Sequence, residues 1–147
     1  MAGFQGSKEQ VLALNTFIKL VRCTNTVSAG VHDHLLGKLT VSQFGILEAL
    51  YHLGPMVQKE LAEKILKSAG NITTIINNLE KNGLVFRGVN ENDKRYCTVQ
   101  LTRKGENLIK RIFPIHAEII VKRMAILSED EQQTLGRLLK KLALNKE

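Results

Sequence analysis

Apolar residues recur at helical intervals along most of the chain. Between residues 9 and 36, Val11, Leu14, Ile18 and Val21 form one stripe. Phe17, Leu20, Val27, Val31 and Leu35 form a second, at offsets of three, four and seven. The spacing predicts one long helix with apolar residues on two sides. A helix at the edge of a small domain needs only one covered side. The second face therefore points to a partner chain, or to a place at the centre of its own domain. Gly37 stops the pattern. Thr40 and Gln43 have capping-box spacing and open a helix through about His52, with Phe44, Ile46, Leu47 and Leu50 inward. Gly54-Pro55 breaks the chain. A short, weakly capped helix follows, with Leu61, Ala62, Ile65 and Leu66 inside; Val57 stands where Ser or Thr would cap it.

Ser68 is placed to cap the next helix, which runs to about Asn82. Ile72, Ile75, Ile76 and Leu79 face inward, and Asn71, Thr73, Thr74, Asn77 and Asn78 face outward. Gly83 supplies the left-handed stop. The period then changes. Residues 84–89 and 95–101 are β-prone, and the polar run of residues 90–94 between them makes a hairpin with a charged tip. Thr102 caps a long helix to about Leu127, which Pro114 should kink. Ser128 and Glu131 form another capping box, opening a last helix with Leu135, Leu138, Leu139 and Leu142. The fold expected is mainly α with a small β-hairpin wing. The order helix, short helix, helix, hairpin is the layout of a winged helix-turn-helix, expected over residues 38–102, while 1–36 with 103–147 are expected to form a helical region that pairs with a partner chain.

Charge sharpens this picture. The 147 residues carry a net charge of +7. Residues 57–111 hold 11 Lys/Arg against 6 Asp/Glu, so most of the excess sits in the middle of the chain. A concentrated basic segment fits a polyanionic partner, here double-stranded DNA. No apolar run approaches the ~20 residues that span a bilayer. The first ten residues lack the basic start and apolar core of a signal peptide, so a cytoplasmic protein with no membrane partner is expected.

The candidate chemistry lies on the fourth helix and the hairpin. A helix in the major groove reads base edges with short polar side chains. Ser68, Asn71, Thr73, Thr74, Asn77 and Asn78 offer such groups, with no acidic residue before Glu80. Arg87, Lys94 and Arg95 place cations on the hairpin, and an arginine at its tip can enter the narrow minor groove. Asp93 would repel DNA on its own. Arg95 is two residues away and is its obvious partner, which would fix the direction of the guanidinium. The plainer alternative is that the polar face is merely solvated and that Asp93 and Arg95 pin a turn.

Residues 93–102 read D-K-R-Y-C-T-V-Q-L-T and resemble the D-x-R-x5-L-T wing signature of the MarR family of bacterial regulators. Leu39 to Phe44, Lys59 to Ala62 and Asn78 to Val85 resemble further segments of that family, in the same order. The resemblance implies homodimers whose terminal helices form the dimerisation region. It implies a recognition helix, here about Ser68 to Asn82, in the major groove of a near-palindromic site. It also implies a wing arginine, Arg95, in the minor groove, oriented by Asp93. Most such proteins are repressors, released by a small-molecule effector or by thiol oxidation. Thr74 departs from the pattern, because many members carry a base-reading arginine there.

Other chemistry is not expected. His32, His34, His52 and His116 show no H-x3-H spacing, and Cys23 and Cys97 show no C-x2-C spacing, so neither metal nor cofactor is called for. The two cysteines read as small, semi-buried and reduced. No nucleophile–base constellation or phosphate-cradling glycine loop stands out, so the chain is not read as an enzyme. The rival function is a winged-helix protein-interaction module.

Overall fold

The computed structural model describes residues 3–35, 37–65, 69–89, 92, 93, 95 and 97–145. The chain falls into two compact units: His34–Ala117, and Met1–Asp33 with Glu118–Glu147.

Helix α1 (Lys8–His32) starts on a complete capping box, in which Ser7 accepts from the Gln10 backbone and Gln10 reaches back to the Ser7 N–H. It ends three residues before Leu35, the last member of its apolar pattern. After His32 the chain tightens into one 3-10 turn, Asp33–Leu35. Such tightening is a common way to satisfy the last carbonyls of a helix. Gly37, at φ 77°, then lets the chain reverse so that Lys38 and Leu39 both donate to the Leu35 carbonyl.

The central unit holds α2 (Val41–Leu53), β1 (Met56–Val57), α3 (Gln58–Ile65), α4 (Ala69–Lys81), β2 (Val85–Val89), β3 (Cys97–Leu101) and the first part of α5 (Arg103–Met124). The Thr40–Gln43 box that opens α2 is complete. Phe44, Ile46, Leu47, Leu61, Ile72, Ile76, Leu79, Val85, Val99 and Ile109 form one core, each essentially inaccessible to solvent. The sheet order is β1-β3-β2, all antiparallel. Strand β1 is the element the sequence pattern misses. It is two residues long, too short to show alternation, and exists because Met56 and Val57 pair with Val99 and Thr98. That pairing fixes the start of α3, where a side-chain cap was lacking.

The junction of α4, the hairpin and α5 is tightly determined. Gly83 (φ 71°) donates to the Glu80 carbonyl and Leu84 to the Leu79 carbonyl, a Schellman ending in which buried Leu79 and Leu84 supply the apolar contact. Thr102 donates its hydroxyl to the Gly83 carbonyl at 2.6 Å and accepts from the Gly105 N–H at 3.0 Å. It thereby caps α5 and ties its start to the turn after α4. Helix α5 continues through Pro114.

Tertiary packing brings two histidines together: His34 Nε2 lies 3.0 Å from His116 Nδ1, and buried His116 packs 4.6 Å from the Phe44 ring. Among the described residues no group of three or more His, Cys, Asp or Glu is placed to hold a metal. Cys23 and Cys97 are exposed rather than semi-buried. Cys97 stands opposite Val89 at the outer end of the hairpin, where Val89 is itself exposed.

The second unit contains α1, the end of α5 and α6 (Glu129–Leu144). The Ser128–Glu131 capping box is complete, and Gln132 closes the preceding turn by donating to the Met124 and Leu127 carbonyls, both at 3.1 Å. Helix α6 buries no residue. Phe17, Leu138 and Leu142 are all more than half exposed.

Candidate nucleic-acid interface

Helix α4 is amphipathic, as its sequence period requires. Ile72, Ile76 and Leu79 anchor it in the core. Asn71, Thr73, Thr74, Asn77 and Asn78 lie on its exposed face. Two contacts from neighbouring elements organise that face. Gln58, the first residue of α3, donates its amide to the Thr73 hydroxyl. Arg87 on β2 donates through Nη2 to Asn77 Oδ1 at 2.7 Å and through Nη1 to Glu80 Oε1 at 3.0 Å. The backbone N–H of Arg87 takes the other Glu80 oxygen at 3.2 Å. One carboxylate thus binds both the side chain and the backbone of Arg87, locking β2 to the recognition-helix candidate. Asn77 and Arg87, ten residues apart, are brought together. Gln58 and Glu80 are the organising residues that sequence reasoning overlooked. Glu80 was visible as an i+3 neighbour of Asn77 on a helix, but nothing in the spacing pairs it with Arg87.

The hairpin tip carries the second arrangement. Arg95 donates Nε to Asp93 Oδ1 at 3.0 Å and Nη2 to Oδ2 at 2.9 Å, and its backbone N–H also reaches Oδ1 at 3.1 Å. This is a two-pronged charge-assisted fork, which fixes direction as well as distance. The Arg95 side chain is 85% exposed all the same, so its outer face can take an anionic partner. The Arg95 hydrogen bonds hold the Asp93 carboxyl below the usual carboxylate range, and Asp93 in turn raises the guanidinium further above its ordinary value. Glu80 and Asp93 are therefore each matched by an arginine. Ser68 and Lys94, also expected at this surface, lie outside the described residues.

A helix with an exposed amide and hydroxyl face, beside a hairpin with a directed arginine, can serve base edges and phosphates at once. Comparison with known proteins agrees. The MarR family model matches residues 39–96. The HTH-type transcriptional regulator MhqR of Bacillus subtilis is 34% identical over 134 residues, which cover 90% of this chain and 92% of that protein. A MarR family transcriptional regulator from Silicibacter pomeroyi has a similar solved structure, with TM-score 0.81 and 24% identity over 94% of this chain and 93% of that one. The structure of Bordetella bronchiseptica BpsR, described with the regulation of its DNA binding by 6-hydroxynicotinic acid, gives TM-score 0.78 and 23% identity over 98% of this chain and 100% of that one. The two structural likenesses speak for the fold, and the near-full-length relative for the family. This chain belongs to the MarR family of winged helix-turn-helix, DNA-binding transcription regulators and is not an enzyme.

Proposed function

We propose that the protein is a repressor that binds a near-palindromic operator as a homodimer and is released by a small-molecule effector. The observation that carries the DNA-reading part is the exposed face of α4, where Asn71, Thr73, Thr74 and Asn77 lie beside a hairpin whose Arg95 is aimed by Asp93. In this reading α4 occupies the major groove and contributes base contacts. Arg95 enters the adjacent minor groove. Homodimerisation is supported by the apolar residues left uncovered on α1 and α6. Release by an effector is supported by the likeness to BpsR, whose DNA binding responds to an aromatic acid. A cytoplasmic setting suits this role, and no helix among the described residues is long and apolar enough to cross a membrane.

A winged helix used only to dock proteins would not need a forked arginine at its tip. Selection of bound fragments from random duplex DNA separates the two readings. An inverted repeat should be enriched, and an added effector should abolish the enrichment. A protein that enriches no sequence at moderate salt would refute the operator-binding role.

A further inference from the structure

The contact between Arg87 and Asn77 has a consequence for which base is read. An asparagine can recognise adenine with two bonds, accepting from N6 through Oδ1 and donating to N7 through Nδ2. Here Oδ1 already accepts from Arg87 Nη2 at 2.7 Å. A guanidinium has donors only, so the asparagine must turn its carbonyl, and not its amide nitrogen, toward Arg87. The other Oδ1 lone pair lies beside a cation that opposes the approach of a second N–H donor. Both hydrogens of Nδ2 remain available, and no bond to them is formed among the described residues. Arg87 itself is held by both oxygens of Glu80. Its side chain is only 28% exposed, against 85% for Arg95.

We infer that Arg87 is a positioning residue that takes up the Asn77 carbonyl, so that Asn77 presents only hydrogen-bond donors and favours guanine, whose N7 and O6 both accept, or thymine O4, over adenine, whose N7 stands beside the N6 donor. The inference rests on α4 being the DNA reader. In this role Arg87 is not a cation offered to DNA but a group that sets the polarity of its neighbour. Glu80 completes the device, because it matches the charge of Arg87 and holds the guanidinium against β2 and α4 together.

The test is binding-site selection and salt-dependent affinity on the full-length chain, for the wild type, Asn77→Ala and Arg87→Met. Wild-type protein should enrich guanine or thymine at one position of each half-site. Asn77→Ala should lose preference at that position alone. Arg87→Met frees the carbonyl, so adenine should become accepted there, with discrimination against it falling roughly five- to tenfold. The slope of log affinity against log salt should stay at its wild-type value, because no phosphate contact is lost. Should Arg87→Met fail to fold, Arg87→Leu, which likewise has no donor, carries the same comparison. An unchanged base preference together with a slope reduced by about one unit would make Arg87 a phosphate anchor and overturn the inference. Adenine at the Asn77-dependent position of the wild-type motif would overturn it too. A wild-type protein that enriches no motif would bring down the DNA-reading assignment along with it, whereas a clear motif indifferent to Arg87 removes this inference alone.

Discussion

An arginine at the tip of a hairpin would ordinarily lose rotamer freedom on meeting DNA, and Asp93 reduces that loss by holding the Arg95 guanidinium in advance. The pair was legible in the sequence because its partners are two residues apart, within reach through any tight turn. The Asn77–Arg87–Glu80 set was not, because its members meet only once α4 and β2 are packed. Replacing Arg95 with Ala should weaken binding to every sequence and lower the salt slope by about one unit if it anchors phosphate. The loss should be larger at AT-rich flanks if it reads minor-groove width. Unchanged affinity at moderate salt counts against both roles. Asp93→Ala should do partial damage, since the cation remains but is no longer aimed. The pH dependence follows from the lowered Asp93 carboxyl. A carboxylate whose folded-state pKa is depressed contributes above its unfolded value and loses that contribution as pH falls through the folded value. The affinity gap between wild type and Asp93→Ala should therefore be flat from about pH 8 down to about pH 5, above the ordinary carboxylate range. An NMR titration should find the Asp93 midpoint below that range, returning to it in Arg95→Ala. A gap that closes near neutral pH would point to a different titrating group.

At the scale of elements, long periodic segments declared themselves and short or cooperative ones did not. The capping boxes at Thr40 and Ser128 and the inward face of α4 follow from side-chain chemistry a few residues apart, so the sequence alone locates them. Strand β1 and the His34–His116 contact are tertiary, the first made by β3 and the second joining residues 82 positions apart. Gly105 shows how closely such elements are fitted. It lies in the first turn of α5, and a Cβ added there would sit 2.0 Å from the Leu84 carbonyl oxygen. That oxygen belongs to backbone already bonded to the Thr102 N–H, so it cannot swing aside. Gly105→Ala should therefore destabilise the fold by about 2 kcal/mol or more, although alanine is the better helix former. Gly136 on α6 has open space around the same position. There the substitution to Ala should leave stability unchanged or raise it by up to about 1 kcal/mol. Chemical denaturation of the two variants checks both signs. Equal stability of Gly105→Ala and wild type would mean that α5 does not press on the Leu84 backbone.

Across the whole molecule, much of the exposed apolar surface belongs to α1 and α6. Leu135, Leu138, Leu139 and Leu142 lie on one side of α6, and each is more than a third exposed in the single chain. An amphipathic helix with no buried residue gains little from its own unit and needs a second surface to cover its apolar side. A closed two-fold dimer is the commonest such surface among soluble proteins, and it also presents two copies of α4 related by one axis. Two half-sites then follow, with centres separated by about 10 base pairs or a multiple of it. Once one half-site is engaged, the second binds at a high effective concentration, so operator affinity depends on the dimer far more than on either lobe alone. Assembly and DNA affinity should therefore fail together. Deleting residues from Ser128 onward removes α6 while leaving every residue of the central unit in place. The shortened chain should sediment as a monomer, keep the cooperative melting of its central unit and bind single half-sites weakly. Its salt slope should be about half that of the intact protein, because each complex then neutralises half as many phosphates. A shortened chain that sediments as a monomer yet protects a complete inverted repeat at wild-type concentrations would show that the two half-sites are not coupled through α6, and the dimer mechanism would have to be abandoned.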